Sequence, residues 1–342
     1  LPAFLSRGNP TQPGSLLEHL GDIVVQPSDS FDLIIVGAGL TGATLACAVA
    51  QLPHASSLSI ALIEADMNIT RYEGESFDPR VVALTQASQN LLQRIGVWDA
   101  IYQARACAYT DMHVWDGEGT ADIHFNASDV RAANLGYIVE NSVALAALRQ
   151  QLKQHKNIQV IQPVRVTQLE GLPSPRLHLD NGLVISAPLI IAADGAKSRV
   201  RELAPFDTRE WDYHQMAIVT TVQTEFSHQA TAWQRFMRTG PLAFLPLPSV
   251  GGKHFCSIVW SLDRDCVDDI MQLSDGDFCA RLGRAFEYKL GAILHSAERF
   301  AIPLRQRHAK EYCVPGIALV GDAAHNIHPL AGQGVNLGLL DV

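Results

Sequence analysis

The stretch FDLIIVGAGLTG, residues 31–42, decides the reading of the chain. Residues 31–36, apolar apart from Asp32, read as a parallel strand covered on both faces. Gly37, Ala38, Gly39, Leu40, Thr41 and Gly42 follow, and small residues continue to about Leu52 as a predicted helix. Between a strand and a helix this spacing has a physical meaning. Gly37 permits the tight turn, Gly39 lets the backbone approach a pyrophosphate, and Gly42 lets the helix pack close to the sheet. The free N–H groups of the helix start then face the anion. Residues 58–64 (LSIALIE) complete a β-α-β unit and end on Glu64. A carboxylate there accepts hydrogen bonds from an adenosine ribose and repels a 2′-phosphate, which favours FAD or NAD over NADP.

Two later segments also bring a buried strand to a polar turn. Residues 189–193 (LIIAA) lead to Asp194-Gly195-Ala196-Lys197-Ser198-Arg199, where Asp194 can cap the helix that follows. A capping turn without a ligand is the competing reading. Residues 316–338 read GIALVGDAAHNIHPLAGQGVNLG. Asp322, at the carboxyl end of that strand, is placed to bond a polyol such as the ribityl chain of a flavin. Gly332, Gln333, Gly334, Val335 and Asn336 bring backbone N–H groups to a helix start, suited to negative charge on the N1–C2=O2 edge of a reduced flavin.

Residues 85–101 predict a helix capped by Thr85, and 111–115 and 121–125 predict strands. A helix is expected over 142–155. Residues 158–170, 175–180 and 183–187 suggest a meander turning at Asn181-Gly182. From about 211 the texture becomes β-rich over 216–223, 241–247 and 254–261, and 266–290 reads as helical. The expected fold class is α/β, a Rossmann-like FAD-binding domain with an inserted β-rich substrate domain. The first takes residues 31–105, 136–205 and 300–342, the second 106–135 and 206–299. Residues 1–30, with Pro2, Pro10, Pro13 and Pro27, are expected to be a disordered extension.

The 342 residues are ample for a core, and 47% apolar with 18% charged residues is ordinary for a globular protein. A net charge of −9 argues against a general nucleic-acid binder. The six cysteines form no C-x-x-C pair and read as reduced thiols rather than a metal site. No stretch is long and apolar enough to predict a membrane-spanning helix.

Taken in order, the three motifs resemble the single-component flavin monooxygenases of the para-hydroxybenzoate hydroxylase type, with a glutathione-reductase-like FAD domain. The segments RIGVW (94–98), YIVENS (137–142), WDY (211–213), GPLAFLP (240–246), CSIVWS (256–261) and His325 to Gly338 resemble the UbiH and UbiI hydroxylases of ubiquinone biosynthesis. WDY, VENS and CSIVWSL lean to UbiI, which acts on ring carbon C5. The resemblance covers residues 31–342. It implies FAD as cofactor, NAD(P)H as a transient donor, and transfer of one oxygen atom of O2 to an electron-rich phenol carbon. It implies Arg80 near the flavin and pyrophosphate, Asn141 along the ribityl chain, and Asp194-Gly195 in both FAD and nicotinamide binding. A surface salt bridge for Arg80 and a helix cap for Asn141 are the competing readings.

The resemblance also implies that the loop His328-Pro329-Leu330-Ala331-Gly332-Gln333-Gly334 contacts the ring. Phe236, Gly240, Leu242, Phe244 and Pro246 would face it, in a lobe whose apolar character suits a polyprenylated phenol. Plain core is the alternative for the aromatics. His325, His328 and Pro329 are the catalytic candidates, with loop ordering the competing role for both histidines. Other ubiquinone-biosynthesis proteins are implied partners, with a cytoplasmic location and peripheral contact at the inner membrane. Family members continue well past the last motif, so the helix near Asn336 is expected to be cut short. Two other functions remain: a flavoprotein reductase or dehydrogenase on the same fold, and a truncated apo scaffold subunit. A halogenase is disfavoured because no W-x-W-x-I-P segment occurs.

Overall fold

The structure, a computed structural model, describes residues 29–66, 68–327 and 334–342. The predicted leader lies outside these residues except for Asp29–Ser30, which pair in parallel with Val184–Ser186 and so belong to the fold. A six-stranded sheet runs in the order Cys313–Val314, Ile317–Leu319, Leu189–Ala192, Leu33–Val36, Ile60–Ile63, Ile158–Ile161. All neighbours are parallel except the first pair. Leu33–Val36 and Ile60–Ile63 are buried throughout, as their unbroken apolar runs predict. Leu33 and Ile35 pack on Ala43, Ala46 and Cys47 of the helix Leu40–Ala50. Ile34 and Val36 pack the other way, onto Leu177 and Ile185 of a four-stranded, mostly antiparallel layer.

Residues 158–170 do not form one strand of that layer. Ile158–Ile161 is the edge of the parallel sheet, and Val166–Glu170 belongs to the antiparallel one. Pro163 stands between them and has no N–H to give a ladder. Two predicted helices are likewise pairs. Gln86–Arg94 and Trp98–Arg105 part at Gly96, which has φ +78°. Arg264–Met271 and Asp275–Ala285 part before Ser274, whose hydroxyl accepts from the N–H of Asp277.

A nine-stranded sheet forms the other half of the molecule. Its longest strand, Thr208–Thr224, pairs with Lys253–Asp263 and Phe300–Ala309. Residues 300–309, expected in the FAD-binding part, therefore lie in the large sheet. One face of this sheet packs Trp115, Phe244 and Trp260 against Phe278 and Phe286 of the two-helix layer. The Phe244 and Phe286 rings stack with centroids 3.7 Å apart. The other face brings Leu245, Leu247 and Phe255 onto Phe77, Ala83 and Ile138, which lie on or beside the small sheet of Val81–Leu84, Gly136–Glu140 and Cys107–Tyr109. No helix among the described residues is long and apolar enough to cross a membrane.

All six cysteines are free thiols, with Cys266 and Cys313 exposed. Burial pushes Cys47 up to about 12, Cys107 up to about 11, and Cys256 higher still. Only the thiolate reacts with a disulfide reagent. An aromatic disulfide reagent at pH 8 should therefore modify Cys266 and Cys313 at once and Cys107 slowly. Cys47, Cys256 and Cys279 should react only on unfolding. Prompt modification of all six in the folded protein would contradict this core.

Candidate dinucleotide cleft

The glycine loop is set by steric exclusion. Gly37 has φ +100°, and a Cβ there would lie 2.4 Å from the carbonyl oxygen of Ala193. A Cβ on Gly42 would lie 1.9 Å from the carbonyl oxygen of Gly37. Both contacts are with backbone, so no side-chain rotation relieves them. Gly39 is different, because a Cβ there would meet nothing within 4 Å. It precedes the helix Leu40–Ala50, whose start no side chain caps. The first-turn N–H groups of such a helix have no internal partners. Ala38 N–H donates to Glu64 Oε2 (2.7 Å), and Asp66 N–H to Oε1 (2.9 Å). Glu64 thus holds the loop while lining the cleft, and each oxygen keeps acceptor capacity for a ribose hydroxyl.

Asp194 Oδ2 accepts from the N–H groups of Arg199 (2.7 Å) and Val200 (3.2 Å), which realises the capping role. Its Oδ1 is buried without a hydrogen-bond partner. Burial raises the Asp194 pKa, against hydrogen bonds from Ser198 and the backbone. Arg201, 4% exposed, donates to the carbonyls of Ala323 (2.7 Å) and Ala196 (2.8 Å). One buried guanidinium thereby ties the Asp194-Gly195 loop to the Asp322 turn.

Asp322 opens into the cleft, and the protein behind it raises its pKa while His325 draws it down. Asp341 holds this turn from behind. Its Oδ2 accepts from Gly321 N–H and lies 2.7 Å from His325 Nε2. His325 is absent from the cleft wall, so the structure gives it an ordering contact. Asn336 also turns away from the cleft. It accepts from Thr85 N–H and the Ser88 hydroxyl and donates to the Ala83 carbonyl, fastening the helix Gly334–Asp341 to Val81–Leu84. Gly334 and Val335 do line the cleft. His328, Pro329, Gly332 and Gln333 lie outside the described residues.

Arg80 and Asn141 reach the cleft from loops fixed by a buried charge cluster. Asp78 accepts from Arg80 N–H and Ser142 N–H, each at 2.9 Å. Glu140 accepts from Asp78 N–H (2.7 Å) and pairs with Arg105 Nε at 3.0 Å. Asp78 and Glu140 are each 1% exposed. Burial raises the Glu140 pKa, with Arg105 opposing. Arg105 also donates to the carbonyls of Tyr72, Gly74 and Ser76 and lies 4.0 Å over the Phe77 ring. Asn141 makes no cap for its helix; the first-turn N–H of Ser142 is taken by Asp78 instead. Asp78 stands two residues before Arg80 and Glu140 next to Asn141, with no motif of their own to mark them in the sequence.

Two clefts follow the carboxyl ends of the parallel strands. One, of about 510 Å³, is walled by Gly37, Glu64, Arg165, Asp194, Lys197 and Arg199 among others. The second, of about 470 Å³, includes Thr41, Arg80, Asn141, Pro303, Asp322 and Gly334. Gly39, Ala193 and Gly195 line both, so the clefts meet over the glycine loop. This is the switch point of the sheet, where the chain leaves Leu33–Val36 to one side and Leu189–Ala192 lies on the other. The residues fit FAD. Uncapped helix N–H groups and an empty Cβ position stand at the middle for a pyrophosphate. Carboxylates stand on either side for sugar and ribityl hydroxyls.

The expected substrate residues are placed otherwise. Strand alternation puts Leu242 and Phe244, both 0% exposed, in the core under the two helices. Ala243 and Leu245 take the opposite face, toward Ile138 and Tyr109. Pro246 is buried opposite Cys256. At Gly240 (φ +133°) a Cβ would lie 2.7 Å from the Ser261 carbonyl oxygen, a close-approach role. Phe236, 42% exposed, stays open to solvent.

A parallel sheet carrying this cleft, together with a large, mostly antiparallel sheet, defines an FAD-dependent oxidoreductase. Residues 30–342 match the family model described as FAD binding domain. The chain is 37% identical over 312 residues to 3-demethoxyubiquinol 3-hydroxylase of Escherichia coli, covering 91% of this chain and 77% of that protein. It is 32% identical over 373 residues to the mitochondrial ubiquinone biosynthesis monooxygenase COQ6 of Danio rerio, covering 95% and 75%. PqsL of Pseudomonas aeruginosa shares the fold with a TM-score of 0.76 at 20% identity, over 92% of this chain and 84% of that one. The chain belongs to the FAD-binding hydroxylase family of ubiquinone biosynthesis and is an FAD-dependent monooxygenase.

Gly37 and Gly39 should separate folding from cofactor binding. Gly39→Ser places a good N-cap residue in open space, so unfolding of the apo-protein should change by under about 0.5 kcal/mol. FAD affinity should nevertheless fall at least about tenfold, since the hydroxymethyl group occupies the anion position. Gly37→Ala should cost about 1–3 kcal/mol from its backbone conformation alone. Denaturant titration and flavin fluorescence quenching measure the two quantities. Equal FAD affinity in wild type and Gly39→Ser would remove the pyrophosphate from this loop.

Proposed function

We propose that this chain hydroxylates a polyprenylated phenol in ubiquinone biosynthesis, with NAD(P)H as donor and O2 as co-substrate. The observation that carries the reading is the second cleft, whose wall passes from Asp322 and Gly334 to the apolar Ile302, Pro303 and Leu304 of the large sheet. A phenol ring entering there meets the end of the trough suited to a flavin. In this reading the parallel-sheet part binds FAD and the large sheet binds substrate. When bound, FAD accepts hydride from the nicotinamide and activates O2.

The chain's residues bind and orient. Gly37 to Gly42 hold the pyrophosphate, Glu64 the adenosine ribose, and Asp194, Asp322 and Asn141 the hydroxyl-bearing segments. Arg80 balances phosphate charge from an exposed position. Gly334 and Val335 present N–H groups of the last helix to developing negative charge. Ile302 and its neighbours exclude water and seat the ring. Peripheral contact with a membrane and with other ubiquinone-biosynthesis proteins completes the proposal. The WDY, VENS and CSIVWSL segments support hydroxylation at C5. The 37% identical relative is named for a 3-hydroxylation, and the product distinguishes them.

The test supplies the FAD-loaded protein with NAD(P)H, a 2-prenylphenol and isotopically labelled O2. One labelled oxygen atom should appear in the ring per nicotinamide oxidised. Nicotinamide oxidation that yields a reduced prenyl chain, with no labelled product, would assign the chain to the reductases.

A further inference from the structure

One strand of the large sheet ends inside the cofactor half of the molecule. The last residues of Phe300–Ala309 pair with His325–Asn326, just after the Asp322 turn, and Ala309 N–H donates to the Ala324 carbonyl (2.8 Å). The same strand reaches the Asp194-Gly195 turn through a side chain. Arg307 Nη1 donates to the Ala196 carbonyl. Its other two nitrogens take both oxygens of Glu210, with Nη2 3.0 Å from Oε2. Glu210 stands opposite Arg307 in register on Thr208–Thr224. The planar fork is thus fixed on the sheet side, and this aims the remaining nitrogen at the turn.

The Ala196 carbonyl receives a second guanidinium. Arg201 Nη2 donates to it from the core side at 2.8 Å. A carbonyl oxygen can accept both bonds, but two like charges then stand close together. Burial lowers the Arg201 pKa, and the Arg307 charge lowers it further, with Asp194, Glu210 and Glu202 opposing. Arg201 alone would satisfy this carbonyl, so the second cation is not needed for hydrogen bonding. What it supplies is direction. Gly195, one residue before, has φ +81° and lines both clefts, and a Cβ there would meet nothing within 4 Å. Asp194 fixes one side of Gly195 by capping the helix that follows, and the clamp on Ala196 fixes the other. Gly195 is therefore presented to the clefts by contacts made outside them.

We propose that Arg307 is a positioning residue for FAD: from the large sheet, and without touching the cofactor, it holds the Asp194-Gly195 turn where the two clefts meet. The proposal rests on the assignment of both clefts to FAD. It makes cofactor affinity depend on an ion pair that belongs to the other half of the molecule.

The test measures FAD binding to the apo-protein by flavin fluorescence quenching, in wild type, Arg307→Met, Arg307→Lys, Glu210→Ala, the double variant Glu210→Ala/Arg307→Met, and Arg264→Met. Arg264 pairs with Asp212 of the same long strand and serves as the control. The FAD dissociation constant should rise about tenfold in Arg307→Met. Arg307→Lys, which keeps the charge but not the fork, should lose about threefold. Glu210→Ala should also lose about threefold, and the double variant should bind no more weakly than Arg307→Met, because Glu210 acts only through Arg307. Arg264→Met should bind as wild type. The Arg307 and Glu210 side chains are 24% and 44% exposed, so their pair adds little stability and every variant should unfold near the wild-type denaturant concentration. In NAD(P)H turnover with excess FAD, kcat of Arg307→Met should return to within about twofold of wild type, while the FAD needed for half-maximal rate rises about tenfold. Wild-type FAD affinity in both Arg307→Met and Glu210→Ala would overturn the proposal. So would losses that multiply in the double variant, or a kcat that stays low at unchanged FAD affinity. A folded wild type that binds no FAD would instead strike the cleft assignment, and the proposal with it.

Discussion

The rest of the molecule depends on one close approach, between the start of the first helix and the two strands beneath it. The Gly37 carbonyl is wedged beneath Gly42, while Ala193 at the end of the neighbouring strand leaves no room for a side chain at Gly37. Three elements therefore meet at backbone distance. Any Cβ at either glycine would push the helix from the sheet, and its uncapped N–H groups would leave the switch point. Those N–H groups have value as an anion site only because they stand where both clefts meet. The packing constraint and the binding site are thus the same few atoms.

Carboxylates behind the loops keep that geometry. Glu64 holds Ala38, Asp78 holds Arg80 and Ser142, Asp194 holds Arg199 and Val200, and Asp341 holds Gly321. In each case a side chain takes main-chain N–H groups that no ladder satisfies, and so locks a loop that reaches the trough. This adds negative charge around a place suited to a pyrophosphate. The uncapped helix start compensates, with Arg80, Arg165, Lys197 and Arg199 along the cleft walls. Arg105 and Arg201 act differently. Arg201 is buried and Arg105 half-buried, and both bind backbone or carboxylate rather than facing the trough.

The nucleotide half was legible because its signals are local. A strand, three spaced glycines and a helix occupy one continuous stretch, and the turns at Asp194 and Asp322 each follow a short apolar run. What escaped depends on contacts between distant parts of the chain. Arg105 and Glu140 are ordinary charged residues in the sequence until folding buries Glu140 against the half-buried Arg105. Asn336 read as part of a cofactor loop, yet its bonds run to Thr85, Ser88 and Ala83. Leu242 and Phe244 were assigned to the substrate from the family resemblance. Alternation fixes only which residues share a face, and the helices that cover one face are set by tertiary packing. A choice of the wrong phase moves every side chain of the strand.

That alternation also explains how one sheet can serve two purposes. Phe244 stacked on Phe286, with Trp115 and Trp260 beside them, gives the large sheet a dense interior on its helix side. Changes there would leave cavities and cost stability. Ala243, Val259 and Val219, one position away along the same strands, have no such helix layer above them. Val259 packs instead on the cluster of Phe77, Ile138 and Phe255, and Ala243 meets Ala83 and Tyr109, so the small sheet rather than helices closes this part of the face. The β-bulge in Thr208–Thr224 between Asp212 and Gln215 bends this arrangement at the edge where Phe300–Ala309 adds on. That added strand carries Ile302 to the cleft wall while its neighbours continue the sheet. That strand therefore joins the large sheet to the wall of the cleft, on the side away from the core under the two helices.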